Sequence, residues 1–334
     1  MFLVLIVAKS LARLLSAMLI MFILLCTGQF KVYSQPSWIP NESSIVSGDI
    51  RFKFKDTHPE YLIENIKAED IYYIIRFSRI VEFIDKNDNN VYDSSDIITA
   101  IGVLCEKVVW DITYDERRID DVTELMVNLS ARIRVIKIGM QGYPISYARV
   151  TLVHRIFDRD IMINAYEIKG QYELKIDIII EDWPWHKKQS KIALLISIEG
   201  YKQIEKGRYK KHKPKMHFSK EEIRHNVINK IYIISPDAKY GVEFRIANKV
   251  RIDGNESIIH GVKELRNESI EEQFAITYPR FDRILYHDPS IRIFFEEEEK
   301  IGVYGITAGI VISIMMIALA AVTILKIRRL MRKM

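Results

Sequence analysis

Apolar and polar residues alternate along much of the middle of this 334-residue chain. The alternation is clearest in four segments, at residues 50–55, 172–178, 242–246 and 274–278. Because successive side chains of a strand point to opposite faces, each segment would have one apolar face and one mostly polar face. Such strands are typical of antiparallel sheets with one buried and one solvated face. The pattern therefore predicts a mainly β fold.

Further strands are predicted by short runs that are rich in β-branched and aromatic residues. These runs lie at residues 108–114, 132–138, 148–156, 191–198, 230–234 and 291–295. In the second run the alternation slips by one position at Val135 and Ile136, which predicts a β-bulge. Together the segments favour an antiparallel β-sandwich, either one large sandwich or two small ones.

Signals for helices in this part of the chain are few. Ser219 and Glu222 have the spacing of a capping box and could begin one or two helical turns before the strand at 230–234. A second helical candidate covers residues 120–126. The polar stretch at residues 201–220 is the best position for a domain boundary if there are two sandwiches.

The first 28 residues have the pattern of a secretory signal peptide. Lys9 and Arg13 precede an uncharged apolar run at residues 14–26, and small residues just before Gln29 permit cleavage there. A retained membrane helix is the alternative, because the whole apolar segment is long enough to span a bilayer.

A second apolar stretch, residues 301–325, contains no charged residue and predicts a transmembrane helix. At a rise of about 1.5 Å per residue it would reach about 37 Å, which exceeds the hydrocarbon thickness of about 30 Å. The basic tail at 326–334 places the C-terminus in the cytoplasm and residues 29–300 outside, as in a type I single-pass protein of the cell membrane. Gly305 and Gly309 would allow close helix–helix contact and a homodimer.

Charge and cysteine content narrow the class of protein. The chain has 49 Lys+Arg and 44 Asp+Glu, but seven of the cations lie in the two ends, so the middle is close to neutral and gives no support to nucleic-acid binding. Cys105 is the one cysteine of the middle segment, which excludes a disulfide scaffold. Four Asn-x-Ser sequons lie in the segment predicted to be outside and indicate a surface glycoprotein. They begin at Asn41, Asn128, Asn255 and Asn267.

The segment at residues 85–96 reads DKNDNNVYDSSD and places oxygen-bearing side chains at alternate positions. It resembles the calcium loop of EF-hands, and its Asp at the twelfth position is more similar to the dockerin-type loop. The resemblance implies a structural Ca²⁺ site with these ligands: Asp85, Asn87, Asn89, the backbone carbonyl of Val91, Asp93 and Asp96. Asn90 stands where the families have glycine, and Asn tolerates the left-handed conformation that the turn needs. An Asn- and Asp-rich surface turn is the alternative.

The residues that flank this loop do not identify its scaffold. Apolar positions between Tyr73 and Ile84 have helical spacing, yet the stretch is rich in β-branched and aromatic residues. We expect the loop to be entered from a strand and left by a short helix at residues 95–104. The Ile-, Lys- and Tyr-rich composition, the sequons and the lack of disulfides resemble archaeal cell-surface proteins in general build.

A basic stretch with interleaved aromatic residues offers a second candidate site. Its anion-binding residues would be Lys206, Arg208, Lys210, Lys211, Lys213 and Lys215. They could hold lipid headgroups or a polyanionic glycan. A solvated hairpin loop is the alternative.

The sequence lacks the motifs of common enzymes: it has no Gly-x-Ser-x-Gly elbow, no His-Glu-x-x-His pair and no phosphate-binding glycine loop. Two sets of neighbouring carboxylates could act as a pair on a glycan: Asp158 with Asp160, or Glu181 with Asp182. Trp183 and Trp185 could stack on a sugar beside the last two. A membrane-tethered glycan-active hydrolase is therefore the alternative function, and the sequence predicts no catalytic residue.

These patterns favour a non-catalytic, membrane-anchored protein of the cell surface or envelope. Its β-rich domain would be stabilised by calcium and would have a structural or binding role. The expected partners are the lipid bilayer and either an envelope protein or a glycan.

Overall fold

The computed structural model describes residues 37–38, 44–54, 59–66, 71–105, 108–139, 145–163, 166–205, 208–212, 214–223, 226–234, 240–265 and 274–295. These residues form antiparallel strands and contain no helix, so the predicted mainly β fold is confirmed. No helix able to cross a bilayer is found among them. The predicted signal (1–28), transmembrane helix (301–325, with Gly305 and Gly309) and basic tail (326–334) lie outside the described residues.

The described residues form 23 strands. The first twelve are β1 (Ser37–Trp38), β2 (Ser44–Ser47), β3 (Ile50–Phe54), β4 (Glu60–Asn65), β5 (Ile71–Ile84), β6 (Ile97–Val103), β7 (Asp111–Ile119), β8 (Val122–Lys137), β9 (Ser146–Phe157), β10 (Ile161–Ile163), β11 (Tyr166–Ile168) and β12 (Glu173–Glu181). The others are β13 (Lys191–Glu205), β14 (Arg208–His212), β15 (Lys215–Ile223), β16 (Asn226–Ile234), β17 (Tyr240–Ala247), β18 (Lys249–Ile252), β19 (Asn255–Ile258), β20 (Gly261–Glu264), β21 (Phe274–Tyr278), β22 (Ile284–His287) and β23 (Ser290–Phe295). Every segment predicted to be a strand overlaps one of them.

The three short helices predicted from the sequence are wrong. Residues 120–126 contain the turn of the β7–β8 hairpin, where Asp120 has a φ of 54° and Ile119 pairs with Val122. Asp tolerates this left-handed conformation, so it favours the tight turn. Ser219 and Glu222 lie within β15, whose residues pair with β16 along its whole length. Residues 97–103 form β6, paired with β5.

The bulge predicted at Val135 and Ile136 is also wrong. The pairing of β8 with β9 continues without a shift from Glu124 to Val135, and Ile136 points outward with 49% of its surface exposed. Bulges do occur where one strand has a residue without a partner, at Ser78 in β5 and at Thr99 in β6. A bulge changes which of the alternating side chains of a strand face the core.

The strands form two layers within one hydrogen-bonded network. In the first layer β1, β2, β3, β4, β5 and β13 are successive neighbours, with β14 and β21 on the far edge of β13 and β20 beside β21. In the second layer β7, β8, β9 and β12 follow one another, and β22 and β23 share the far edge of β12. From β23 the layer continues to β17, β16 and β15, and from β22 to β18 and β19. β6 pairs with both β5 and β8 and so joins the layers. β10 and β11 form a separate two-stranded sheet.

The apolar faces of the two layers pack against each other, as in a β-sandwich. Tyr73 of β5 meets Tyr240 of β17 with ring centroids 5.8 Å apart, and Tyr61 of β4 meets His154 of β9 at 4.9 Å. All four side chains are almost fully buried. Burial of these apolar faces is the main stabilising contribution to the fold.

The registers of the long strands define two ends of this structure, which we call the terminus end and the loop end. The terminus end contains Ser37, Ile71, the 120–121 turn, Tyr240 and Phe295. The loop end contains the segments 85–96, 138–139, 182–190, 253–254 and 279–283. The 14 residues of β5 run from one end to the other, a distance of about 45 Å. The first and last described strands therefore leave the sheets on the side opposite to these loops.

Candidate functional site

The calcium-like loop, residues 85–96, folds back over the outer face of β5, β13 and β21. Tyr92 is its anchor: the side chain is 7% exposed, its ring lies 5.1 Å from that of Phe83, and its backbone N–H donates to Thr277 Oγ1 at 3.0 Å. The loop thereby covers a small second core. That core contains Val81, Phe83, Tyr92, Ala193, Leu195 and Ala275. A packing role for the loop is thus visible in the structure.

The interior of this loop is centred on a carboxylate. Asp93 Oδ2 accepts hydrogen bonds from Asn87 Nδ2 at 3.0 Å, from Asn89 Nδ2 at 2.9 Å and from Lys263 Nζ at 2.7 Å. Asn89 Oδ1 accepts the N–H of Val91, an arrangement typical of an Asx turn. The hydrogen bond from Lys263, helped by Ser95, holds the pKa of Asp93 well below its usual range.

Asp85 closes the other side of the loop. Its Oδ2 accepts the backbone N–H of Asn90 at 2.8 Å and Lys191 Nζ at 2.7 Å, and its side chain is only 4% exposed. Burial raises the pKa of Asp85, but the hydrogen bonds from Lys191 and Asn90 outweigh burial and lower it. Asn90 has a φ of 66°, the left-handed conformation expected at the position where the families have glycine.

These contacts do not form a calcium coordination shell. Asn87 and Asn89 turn amide nitrogens, rather than oxygens, toward Asp93, and two lysine ammonium groups bind Asp85 and Asp93. The carboxylate oxygens of Asp96 accept backbone N–H groups of the same loop. Within the described residues no three His, Cys, Asp or Glu side chains are placed to share a metal ion. As arranged, these residues do not fit Ca²⁺, and calcium binding stays a prediction.

Glu82, which the sequence analysis missed, organises the neighbouring loop at residues 182–190. Its side chain is fully buried and accepts hydrogen bonds from Trp183 Nε1 at 3.2 Å and from the N–H groups of His186 and Lys187 at 2.9 and 3.0 Å, as well as from Ser190 Oγ. A carboxylate that receives four donors in the interior is strongly stabilised in place. The buried Trp183 is therefore a structural residue.

The two candidate carboxylate pairs of the alternative hydrolase lie far from each other. β9 and β12 are antiparallel, and Glu181 pairs with Arg149, so residues 158–160 and 181–182 lie at opposite ends of the two strands, about 30 Å apart. Asp158 is buried and accepts the N–H of Thr123.

Asp160 and Trp185 are also held by neighbouring groups. Asp160 binds Lys169 Nζ at 2.8 Å and the N–H of Gly170 at 3.0 Å. Trp185 Nε1 donates a hydrogen bond to the carbonyl of Phe281. The guanidinium carbon of Arg280 lies over the Trp185 ring, 4.4 Å from the ring centroid. A cleft of about 240 Å³ between β2 and the β7–β8 hairpin is lined by other residues. They are Ile45, Tyr114, Asp115, Glu116, Leu125, Met126 and Val127.

An exposed patch of cations and apolar side chains covers the outer face of the β8–β9 hairpin at the loop end. We call it the distal patch, and it consists of Arg132, Arg134, Ile136, Ile145, Tyr147 and Arg149. Arg132 and Arg149 are directly opposite each other, although like charges so placed destabilise a strand pair. Arg132 also lies over the Tyr147 ring at 4.7 Å. No carboxylate of the described residues is within ion-pair distance of its three arginines.

The basic stretch lies at the terminus end, on the β13–β14 hairpin and β15. Arg208 pairs with Glu205 at 2.8 Å, and Lys211 pairs with Glu199. Lys210 and Lys215 are exposed, whereas Lys206 and Lys213 lie outside the described residues. Stacking of Tyr72 on Tyr201, with ring centroids 4.8 Å apart, supports the base of the hairpin.

The sequons fall at different places. Asn255 is exposed at the start of β19, next to the 253–254 turn. Asn128 lies in the middle of β8 and its side-chain oxygen is buried. Asn41 and Asn267 lie outside the described residues.

Comparison with known proteins adds no family to these observations. No protein-family model matches the chain, and no curated protein sequence matches it significantly.

Proposed function

We propose that this chain is a non-catalytic, membrane-anchored surface protein whose β domain presents its loop end to a binding partner outside the cell. The observation that carries the proposal is the position of Ser37 and Phe295, which both lie at the terminus end. If residues 301–325 span the membrane as predicted, the terminus end faces the bilayer. The distal patch then lies about 40 Å away from it.

The distal patch has the chemistry of a protein-binding surface. Ile136 and Ile145 are 49% and 52% exposed, and aliphatic side chains need an apolar counterpart that a polysaccharide does not supply. Arg132 and Arg134 have no carboxylate directly across from them on β9, whereas Glu181 lies across from Arg149, and this excess of positive charge favours an acidic partner surface. With the terminus end at the bilayer, the distal patch would be too far from the membrane for lipid to be the proposed occupant. An acidic protein surface with an apolar centre is therefore the proposed partner.

The basic stretch, on the β13–β14 hairpin and β15, would lie on the membrane side of the same domain. Lys210 and Lys215 are exposed at the terminus end, and anionic headgroups attract cations near a bilayer surface by about 1 kcal/mol each. Of the two ligands predicted for this stretch, its position favours lipid headgroups over a glycan. The contact would orient the domain above the bilayer.

Treatment of intact cells with an impermeant protease tests the topology. The proposal expects the segment 29–300 to be cut in intact cells while the C-terminal tail stays protected. Protection of the whole chain in intact cells, with cleavage only after permeabilisation, would refute it.

Site-specific photo-crosslinking tests the binding surface. A photoreactive side chain at Ile136 should form an adduct with an acidic protein on cells, and the double reversal Arg134→Glu and Arg149→Glu should abolish that adduct. The matched control is Val109, an 84% exposed apolar residue outside the patch. Equal adducts at both positions, or competition by a sulfated glycan alone, would contradict a protein partner.

A further inference from the structure

Three charged side chains are buried side by side on the outer face of the second layer. Lys175 and Asp177 of β12 are each 1% exposed, and the side chain of Asp288, between β22 and β23, is 11% exposed. Lys175 Nζ lies 3.1 Å from Asp177 Oδ1 and 3.0 Å from Asp288 Oδ2. The register of β12 with its neighbours places Asp288 opposite Asp177 and diagonal to Lys175. The amine and both carboxylates therefore meet on one face of adjacent strands.

The contacts are close, but they are not those of a well-formed ion pair. Lys175 Nζ makes no hydrogen bond of good geometry, and Asp177 Oδ2 is shared with Arg155 Nη2 at 2.6 Å. Burial raises the pKa of the adjacent Tyr286, and the neighbouring Asp177 and Asp288 raise it further. Buried charges are costly unless their hydrogen bonds are satisfied. The cluster is thus poorly explained as a stabilising salt bridge.

We propose that Lys175 and Asp288 join through an intramolecular amide bond, with Asp177 as the positioning and proton-transferring carboxylate. The Lys175 nitrogen attacks the Asp288 carboxyl carbon, the new C–N bond forms, and one C–O bond of Asp288 breaks. Two protons of the ammonium group leave with that oxygen as one molecule of water, and Asp177 carries a proton from nitrogen to oxygen. Atoms and charges balance without an oxidant, a reductant or a cofactor.

Two physical effects favour this condensation in the folded chain. The fold fixes amine and carboxyl at contact distance, which replaces a bimolecular encounter by an intramolecular one of high effective concentration. The site excludes water, and the product replaces two buried charges by a neutral amide, which removes their desolvation cost.

The bond would also fit the needs of this domain. Cys105 is the one cysteine of the described residues, so no disulfide links two strands within them. The amide would link β12 to the start of β23, the last described strand, across roughly a hundred residues of chain. Cross-links that close long loops restrain the unfolded state most. Load applied through the C-terminal segment would thus reach β12 through a covalent bond.

Peptide mapping of the purified full chain by mass spectrometry tests the proposal. After tryptic digestion we expect the peptides that contain Lys175 and Asp288 to appear as one joined species, lighter than their sum by one water, with no cleavage after Lys175. Separate peptides, with cleavage after Lys175, would overturn the inference. A joined species between other residues would overturn it equally.

Variants identify the roles of the three residues. Lys175→Arg and Asp288→Ala should abolish the joined species, and Asp177→Ala should slow its appearance after refolding. The matched control is Lys191→Arg, because Lys191 also contacts a buried carboxylate, that of Asp85, yet the mapped bond should persist. If a variant fails to fold, the mapping of the unsubstituted chain still decides the question. Loss of the bond in the Lys191→Arg chain would contradict the assignment.

Discussion

Two buried histidines should make the fold sensitive to mild acid. His154 lies between the rings of Phe54 and Tyr61 and contacts the Val127 carbonyl at 3.0 Å, while its Nε2 is buried without a hydrogen-bond partner. Burial lowers the pKa of His154 to about 3. The folded state therefore holds this imidazole in its neutral form down to low pH.

His287 is buried in the same way but with both nitrogens satisfied. Nδ1 lies 2.9 Å from the hydroxyl of Tyr278, and Nε2 lies 2.8 Å from the carbonyl of Ala247. Burial lowers the pKa of His287, and with the smaller effects of Asp288 and Ala247, which raise it, and of Lys175, which lowers it, the pKa is about 4. Its environment also favours the neutral form.

The sign of the effect follows from proton linkage. Each folded-state pKa is below the ordinary value of about 6.5, so the unfolded chain binds more protons between these values and stability falls as the pH falls below 6.5. The free energy of unfolding is therefore lower at pH 5.5 than at pH 7.5 by about 1.4 kcal/mol for each histidine, or about 3 kcal/mol for both. This window lies above the ordinary pKa of carboxyl groups, so their titration contributes little.

Urea unfolding of the purified chain at pH 7.5 and pH 5.5, followed by tryptophan fluorescence, measures this loss. His154→Phe should reduce the loss by about 1.4 kcal/mol, since it removes one titrating group and keeps a ring at the site. The matched control is His217→Phe, because His217 is exposed in β15. An unchanged loss in the His154→Phe chain, or an equal reduction in the control, would refute the reasoning.

The remaining predictions concern the two loops at the loop end. Glu82→Ala should destabilise the fold by about 3 kcal/mol or more, because the groups that donate to Glu82 lose a buried acceptor, and it should shift the fluorescence of Trp183. The control Glu256→Ala, at an exposed position, should change stability by less than about 0.5 kcal/mol. Lys191→Met should cost about 2 kcal/mol by leaving the Asp85 carboxylate buried and unpaired. If calcium binds the 85–96 loop, a chelator should lower the melting temperature, and Asp85→Ala should abolish that difference. Identical melting temperatures with and without chelator would contradict calcium binding, and the contacts of Lys191 and Lys263 would then account for the closed loop.

The strands could be predicted from the sequence because their alternation is local, but a bulge concealed the nature of β5. Tyr73, Ile75 and Phe77 alternate toward the main core, and beyond the bulged residue Ser78 the next core-facing position is Ile80. The three-residue step from Phe77 to Ile80 breaks the period of two, and after the four-residue interval from Tyr73 to Phe77 it matches the spacing of a helix face. Hydrophobic periodicity alone cannot distinguish the two, whereas the pairing of β5 with β13 does.

The calcium-like loop shows what a local motif can and cannot predict. The turn and the left-handed conformation of Asn90 depend on adjacent residues, and the sequence predicted both. Lys191 and Lys263 reach the loop from more than a hundred positions away, so no reading of residues 85–96 could include them. Likewise, the separation of residues 158–160 from 181–182 depends on the β9–β12 register, which spacing along the chain does not contain.

The bulge at Ser78 also explains how the loop end is made rigid. Because the bulge reverses the faces of β5, Glu82 enters the core, where the backbone N–H groups of the 182–190 loop require an acceptor. The same reversal turns Val81 and Phe83 outward, where the 85–96 loop covers them. A single extra residue in one strand thus creates the anchor for one loop and the apolar floor for another. Since both loops lie at the loop end, an irregularity of the first layer fixes the end that we propose carries the binding surface.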